Sequence, residues 1–328
     1  MNRLRAYREI ENKSGAETAK LLGISTSMVS AIESGRRPLT ISLDPLGYSS
    51  DRFELPDMSE PHHRQLSRTR VSSTRRAKEL LRLGGELYNE LIAAVGARAS
   101  MLERLGPITD HAQLAQIADL VRGALGAEPT GPIRNLTAAV ERAGVCLVPI
   151  SDLDGIDGIS AWVDGRPVVG LAPDVPGDRF RLTLAHELGH LVMHSRAGEN
   201  SEHEANRFAS LLLLPPDDFE AAVPPRPTIR DFVHLKASWG VSVAALIYRS
   251  HEEGILDDRR YRSLQIQMSK WRHVEPGRFE ALPGRALPDL LERAGGPAAV
   301  AERHGLNEDH VRLTTTWAPP RASLRLVR

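Results

Sequence analysis

Residues 178–194, DRFRLTLAHELGHLVMH, are the most informative stretch of this 328-residue chain. Their apolar positions recur at helical spacing, so we expect an α-helix that carries His186, Glu187 and His190. Histidines four positions apart lie on one helix face and can reach one tetrahedral zinc ion. Glu187 follows the first histidine, which places its carboxylate beside the open coordination position. There it can take a proton from water and deliver it to a leaving amine.

A zinc site of this kind needs a third protein ligand. Residues 201–216, SEHEANRFASLLLLPP, predict a second helix that ends at its two prolines. Glu202 and Glu204 both lie at its start, and helix geometry alone does not decide between them. His194 would lie about 12 Å from His186 on a straight helix, too far to share a metal. We therefore expect His194 at the rim of the site or behind a ligand.

Three short runs upstream predict β-strands: VCLVPI (145–150), GISAWV (158–163) and PVVGLA (167–172). Asp164-Gly165-Arg166 is a turn-forming stretch, so the last two runs form a predicted hairpin. An exposed edge of that hairpin would suit an extended substrate peptide, which could pair with it through the backbone. Tyr248 and His234 are candidates, by residue type alone, for a further group that stabilises an oxyanion.

The N-terminal segment predicts a helix-turn-helix. Gly23 suits the C-terminal cap of one short helix and Ser25 the N-terminal cap of the next, about three residues on. The second of these helices would present Thr26, Ser27 and Ser30 to base edges in a major groove, with Arg36 and Arg37 close behind. The helices that should close such a bundle are not evident after Pro38, because turn-forming residues dominate there.

Charge and composition narrow the class of protein. The 42 basic and 42 acidic residues cancel, and the single cysteine, Cys146, excludes a disulfide framework and any all-cysteine metal site. Within residues 64–82, however, seven basic residues face only Glu79, a local footprint of phosphate binding. No apolar run is long enough to span a bilayer and the start of the chain has no signal-peptide core, so we expect a cytoplasmic protein that does not bind membranes.

Two family resemblances rest on these motifs. AKLLGISTSMVSAIESGRR (19–37) resembles the Cro/repressor-like (XRE) helix-turn-helix, although Gly15 stands where that family often has glutamine. RFRLTLAHELGHLVMH together with EHEANRFASLLLLP resembles the ImmA/IrrE zinc metallopeptidases, a zincin-like group. That resemblance implies one zinc ion per chain, bound by His186, His190 and Glu202 (with Glu204 as the fallback), and Glu187 as catalytic base. Asn206 and Phe208 match the same motif, in supporting or packing roles.

The expected architecture is an α+β fold, mostly helical. It comprises an N-terminal helix-turn-helix bundle, connecting helices, a zincin-like domain with a small sheet and the HExxH helix, and a helical C-terminal cap. The expected segments are a DNA-binding domain at 1–60, a basic linker and connecting helix at 61–105, the metallopeptidase domain at 106–276 and an accessory segment at 277–328. Gly295-Gly296-Pro297 separates two short helices that superficially resemble a second helix-turn-helix, but no basic face accompanies them.

The resemblance implies a DNA-associated zinc endopeptidase that cleaves a transcriptional repressor or another regulator in a stress, phage or mobile-element response. DNA would be bound through residues 1–60 and the basic residues of 64–82. The alternative is an XRE-type regulator or antitoxin whose zinc domain senses a ligand or partner without turnover. Paired half-sites in DNA favour two-fold symmetry, so a homodimer is a further expectation.

Overall fold

The structure, a computed structural model, describes residues 2–49, 52–65, 71–96, 100–108, 110, 112–151, 155–196, 198–271, 275–277, 279–280 and 282–317. Its regular elements, in chain order, are α1 (Arg3–Ile10), α2 (Gly15–Leu22), α3 (Thr26–Glu33), β1 (His62–Gln65), α4 (Val71–Ala94), α5 (Gln113–Ala124), α6 (Leu136–Arg142), β2 (Cys146–Pro149), β3 (Ile156–Val163), β4 (Arg166–Leu171), α7 (Gly177–Met193), α8 (Ser201–Leu213), α9 (Pro216–Ala222), α10 (Ile229–Trp239), α11 (Val243–Glu252), α12 (Asp258–Met268), α13 (Ala286–Arg293), α14 (Gly296–His304) and α15 (Glu308–Thr315). The prediction of a mostly helical α+β fold is confirmed.

The chain divides into two compact units. The first is built from residues 1–100, 144–174 and 284–328, and the second from residues 101–143 and 175–283. The four consecutive segments expected from the sequence, with boundaries at 60, 105 and 276, do not coincide with these units. The reason is that the helix-turn-helix, the sheet, α4 and the C-terminal helices share one hydrophobic core.

The first unit contains a four-stranded sheet in the order β1-β3-β4-β2. Strands β3 and β4 form the predicted hairpin, and Asp164 and Gly165 at its turn have φ values of 45° and 75°. Two consecutive residues with positive φ are typical of the tight turns that match the twist of a hairpin. Strand β2 runs parallel to β4, whereas β1 runs antiparallel to β3.

Both long edges of the hairpin are paired within the described residues. Strand β2 occupies the edge of β4 from Val168 to Leu171. On the other side β1 pairs with β3, and beyond it the backbone N–H of Ser59 donates to the Trp162 carbonyl at 2.9 Å. The expectation that a substrate lies along an edge of this hairpin is therefore wrong, because the chain's own strands already use those backbone groups.

Helix α4 is the central helix of the first unit. Its 24 residues include twelve buried ones, and it packs on the sheet. A Cβ atom at Gly84 or Gly85 would overlap the side chain of Val148 or Val163, respectively. The two glycines, which look like a weak point in the sequence, are thus the place where helix and sheet approach most closely. Helix α4 belongs to the core and is not a linker.

Local sequence accounts for the helix-turn-helix. Ser14 and Glu17 form a reciprocal capping box at the start of α2, and Gly23 ends that helix in the left-handed conformation. The side chain of Ser25 caps α3 by accepting from the N–H of Met28 at 3.2 Å. Between α3 and β1 the described residues contain a single short 3-10 helix, Asp44–Leu46, so the missing closing helices are indeed absent from that stretch.

The second unit is helical, and α7 and α8 form its centre. Helix α7 has fifteen buried residues out of 17, and α8 packs against it and against α5. Gly189 lies at the crossing of α7 and α8, where an added Cβ would meet Phe208 Cδ1 at 2.8 Å and the Cα of Ala205 at 3.3 Å. The glycine of HELGH therefore brings α8 close enough for its first turn to reach the histidines. Among the described helices, none is both long and apolar enough to cross a bilayer.

Candidate metal centre

Helix α7 brings two imidazoles together. His186 and His190 are both 1% exposed, and their Nε2 atoms lie 3.0 Å apart. Because the two residues are one helical turn apart, their rings face the same side of the helix at a centroid distance of 4.7 Å. Two nitrogens with lone pairs pointing at one place form half of a tetrahedral site.

The first turn of α8 supplies a carboxylate to the same place. The Oε1 and Oε2 atoms of Glu202 lie 3.3 Å from His190 Nε2 and 3.5 Å from His186 Nε2, respectively. One ligand atom from each residue lies within 4.8 Å of the others, the only such trio of His, Cys, Asp and Glu side chains among the described residues. When the imidazoles carry protons on Nε2, the hydrogen bonds that they donate lower the pKa of Glu202 far below its usual range, so its carboxylate is ionised.

Glu204, the fallback third ligand, lies elsewhere. Its Oε2 atom is 2.8 Å from His194 Nε2, and His194 Nδ1 is 2.9 Å from His190 Nδ1. His194 is the residue at which α7 ends, and its extended backbone (φ −113°, ψ 125°) removes it from the straight helix. It therefore lies behind His190, on the side away from Glu202. The Nδ1 of His186 has a corresponding partner in Asn206 Oδ1, at 3.1 Å.

These hydrogen bonds at Nδ1 determine the tautomer of each imidazole. If His190 donates from Nδ1 to His194, and His194 donates from Nε2 to Glu204, the Nε2 atom of His190 keeps its lone pair. The asparagine does the same for His186, because a side-chain oxygen accepts only from a protonated Nδ1. The donor set is thus two imidazole nitrogens and one carboxylate, with an exposed side at Glu202, which is 52% exposed. That chemistry suits zinc with one position open.

In the helix-turn-helix, the residues expected to face DNA lie on the outside. Val29 and Ile32 are buried, whereas Thr26, Ser27 and Ser30 are exposed on the opposite face of α3. Arg36 and Arg37 are also exposed. Their guanidinium groups lie over the same helix, Arg36 near the Ser30 hydroxyl (3.4 Å) and Arg37 near Met28 Sδ (3.6 Å).

Comparison with known proteins agrees with this arrangement. Residues 141–251 match a peptidase family model described as the IrrE N-terminal-like domain. Residues 4–43 match a model described as helix-turn-helix. The chain carries an IrrE-like domain behind a helix-turn-helix. Comparison with curated proteins gave no match.

The IrrE-like match contains the histidine pair, Glu202 and the helix that carries Glu187. Glu187 is fully buried on α7, next to His186, and its carboxylate is not one of the three converging groups. Glu187 therefore lies next to the candidate metal ligands without being one of them. Its burial also means that water and substrate must enter for it to act.

Neither residue considered for oxyanion stabilisation has a described contact with the three converging groups of the IrrE-like domain. Tyr248 on α11 is 52% exposed, and a hydrogen bond to Glu252, on its own helix, raises its pKa. His234 on α10 is exposed. The sequence did not predict the contact between His194 and Glu204. Their spacing from His190 and Glu202 can be read from the sequence, but the contact depends on where α7 ends.

The basic residues of 64–82 differ in exposure where the structure describes them. Arg82 donates to the Pro56 carbonyl at 3.0 Å and lies 3.4 Å from Glu79. Arg75 is exposed, whereas the Arg76 side chain is partly buried. The side chains of Arg64, Arg68 and Arg70 lie outside the described residues. Of these basic residues Arg82 is thus used internally and Arg75 is available to solvent, and phosphate binding by the block stays a prediction.

Proposed function

We propose that the IrrE-like domain is a zinc metalloendopeptidase and that the helix-turn-helix associates it with DNA. The observation that supports this most directly is the convergence of two imidazole Nε2 atoms and one carboxylate, with Glu187 beside them on α7. We further propose that the substrate is a transcriptional repressor or another DNA-binding regulator, and that the protein works in the cytoplasm.

In this proposal His186, His190 and Glu202 hold the metal. A zinc ion in this donor set supplies a Lewis acid that polarises a peptide carbonyl. Glu187 accepts a proton from the water whose oxygen forms the new bond to the carbonyl carbon. It then delivers that proton to the nitrogen as the carbon–nitrogen bond breaks, so that a carboxylic acid and an amine leave.

In this proposal the helix-turn-helix holds the protease on DNA, close to its substrate. Thr26, Ser27 and Ser30 on α3 are short polar side chains that can reach base edges, and Arg36 and Arg37 supply charge for phosphates. A protease held at an operator meets a repressor at that operator at high effective concentration. A homodimer would match the two-fold symmetry of such a site.

The experiment compares newly formed protein N-termini in cells that express the wild type or Glu187→Gln, with and without DNA damage. The substitution keeps the shape of the side chain and all three metal-binding groups but removes the base. Glu220→Gln, an identical change at an exposed position on α9, is the matched control. We expect a DNA-binding protein to be cut by the wild type and the control and to remain intact with Glu187→Gln.

Identical N-termini in all three strains, with zinc and DNA binding intact, would contradict the protease. That result would support the other candidate, a regulator or antitoxin whose zinc domain senses a ligand or partner without turnover. The two candidates differ at this residue, since a sensor needs the metal-binding groups but has no use for a base.

A further inference from the structure

The C-terminal helices α14 and α15 repeat the geometry of α2 and α3. Helix α2 ends at Gly23 (φ 65°, ψ 29°) and α14 ends at Gly305 (φ 61°, ψ 35°), both in the left-handed conformation. In each case one apolar residue follows, Ile24 or Leu306, and then a residue whose side chain caps the next helix. The turn between the two helices is therefore the same in length and in conformation.

The buried faces of the two helix pairs, α2–α3 and α14–α15, also correspond. The N–H of Ile24 donates to the Ala19 carbonyl at 3.1 Å, and the N–H of Leu306 donates to the Ala301 carbonyl at 2.9 Å. At matching positions along the helices, both pairs bury the same faces: Thr18, Ala19, Val29 and Ile32 in the first, and Val300, Ala301, Val311 and Thr314 in the second. By backbone and burial α14 and α15 are a second helix-turn-helix.

The outer faces differ in charge. Where α3 begins with Thr26 and Ser27, α15 begins with Glu308 and Asp309. Arg312 is the one basic residue on this face of α15. It is ion-paired with Glu308, and its Nε lies 3.0 Å from the carboxylate. Two carboxylates at the positions that would approach a groove repel phosphates. The second helix-turn-helix is thus unsuited to reading DNA.

Its turn is instead packed against the residues that follow the first helix-turn-helix. The N–H of Ser49 donates to the Gly305 carbonyl at 3.1 Å, and Asn307 Nδ2 donates to the Leu46 carbonyl at 2.7 Å. There is no space for a side chain on either part: a Cβ at Gly47 would lie 2.6 Å from Asn307 Nδ2, and one at Gly305 would overlap Ser49.

His310, in the first turn of α15, connects this contact to α1. It is fully buried, with Nδ1 2.6 Å from the Tyr48 hydroxyl and Nε2 2.9 Å from Glu11 Oε1. Its ring also lies 5.5 Å from that of Tyr7, measured between centroids. One side chain from the C-terminal part of the chain thus holds the end of α1 and the segment after α3.

We infer that α14 and α15 replace the closing helices of the N-terminal DNA-binding domain, so that the first helix-turn-helix can bind DNA only when the C-terminal one is packed against it. Helix α4 packs on α1, and α15 packs on α4 and contacts the segment after α3, so together they close the core although turn-forming residues follow Pro38. His310 is a positioning residue in this arrangement and makes no contact with DNA. The part of the inference that concerns DNA rests on the proposed function.

The test uses the full chain and five variants, of which Arg36→Ala is the reference for a direct loss of DNA contact. His310→Leu removes both hydrogen bonds, whereas His310→Gln can restore them, since a carboxamide can accept from Tyr48 and donate to Glu11. Asn307→Asp is milder, because it keeps the cap on α15 and removes only the donor to Leu46. Arg312→Gln, on the exposed side of the same helix, is the matched control.

Two quantities are measured on each: amide hydrogen exchange in peptides covering residues 3–11 and 43–49, and affinity for a fluorescent 30-base-pair duplex of mixed sequence at low salt. We expect His310→Leu to speed exchange in both peptides and to weaken duplex binding, each by about tenfold or more. His310→Gln should recover most of both, and Arg312→Gln should change neither. If His310→Leu does not fold, Asn307→Asp decides, with faster exchange expected in residues 43–49.

Unchanged exchange in both peptides for His310→Leu, or in residues 43–49 for Asn307→Asp, would overturn the inference. So would loss of duplex binding with Arg312→Gln as large as with Arg36→Ala, because α15 would then contact DNA itself. If the wild type binds no duplex, the proposed DNA binding fails, and hydrogen exchange still decides whether the C-terminal helices close the domain.

Discussion

The Nε2 atom of His194 lies 2.8 Å from the Oε2 atom of Glu204. This pair stands behind His190, with Nδ1 of His194 at hydrogen-bond distance from Nδ1 of His190. A carboxylate that accepts from one imidazole makes the other nitrogen of that imidazole a better acceptor. The effect passes to His190, whose Nδ1–H is then held in place and whose Nε2 is a stronger metal ligand.

Glu204→Gln should therefore weaken zinc binding although Glu204 is not one of the three converging groups. We expect a loss in zinc affinity of about tenfold, the lower end of what the partners of metal ligands contribute. Glu202→Gln should cost more, about a hundredfold, because it replaces an anionic group that faces both imidazoles. Competition with a chromogenic chelator measures both losses.

Glu220→Gln on α9 serves as the control for both, as it makes the same chemical change on an exposed side chain of the second unit. Equal losses for Glu202→Gln and Glu204→Gln would mean that the two glutamates have the same role. A larger loss for Glu204→Gln would reverse the assignment made here.

Gly189→Ala should both destabilise the second unit and loosen the candidate metal site. The added methyl would lie 2.8 Å from Phe208 Cδ1 and 3.3 Å from the backbone of Ala205, so α7 and α8 must separate slightly. We expect the free energy of unfolding to fall by roughly 1–3 kcal/mol, as for other overpacked contacts. Chemical denaturation gives this change, and zinc titration shows whether Glu202 still reaches the histidines.

Gly123→Ala is the matched control, because Gly123 lies in helix α5 with no atom within 4 Å of the added Cβ. There the substitution should leave the protein as stable or slightly more stable, since alanine favours a helix over glycine. If the two substitutions had the same effect on stability, the loss of stability in Gly189→Ala would not come from the close approach of α7 and α8.

Glu79→Gln should stabilise the first unit at neutral and alkaline pH and not at acidic pH. Burial on α4 raises the pKa of Glu79 from 4.5 to about 7, against a smaller opposing effect of Arg82. Between those values the folded protein holds a proton that the unfolded chain has released, so stability falls as the pH rises through this window. The glutamine variant lacks that penalty, which amounts to about 3 kcal/mol once both states are ionised.

Denaturant unfolding at pH 4.5 and pH 8 measures the difference between variant and wild type, and Glu60→Gln at an exposed position is the control. We expect the advantage of Glu79→Gln to appear at the higher pH alone. An advantage of equal size at both pH values would indicate a packing effect and no buried charge.

Arg36→Ala should weaken binding to DNA by a similar factor for every sequence. Its guanidinium lies beside α3 and is exposed, which suits a phosphate contact. Loss of one such contact lowers the slope of log affinity against log salt by about one. Fluorescence anisotropy over a salt series measures this, with Arg293→Ala on α13 as the exposed control. An unchanged slope would place Arg36 outside the interface.

Local rules account for the parts of the fold that sequence predicted well. Ser14, Gly23 and Ser25 are caps whose effect extends over a few residues, so α2 and α3 could be placed from sequence. That His186 and His190 lie on the same face of α7 follows from their helical spacing alone. Choosing between Glu202 and Glu204 was different, because it depends on how α8 lies on α7, and Gly189 and Phe208 determine that contact through packing.

Contacts between distant parts of the chain account for what was missed. Strand β1 directly follows a stretch rich in turn-forming residues, and its four polar residues give no periodic signal. Gly84 and Gly85 look like helix breakers until Val148 and Val163 are seen opposite them. The same holds for His310, which reads as an ordinary helix residue until Tyr48 and Glu11 are found on either side of its ring.

The first unit is assembled from distant segments of the chain, which has a consequence for its folding during synthesis. Its core joins α1 to α15, and the contact between Glu11 and His310 spans 299 positions of the chain. Until Leu306 and Val311 have been synthesised that core lacks their side chains, so α1 to α3 must persist without these contacts while the intervening residues are translated. A chain truncated before α15 therefore lacks the contacts of His310 with Tyr48 and Glu11, and we expect its first unit to fold with an incomplete core.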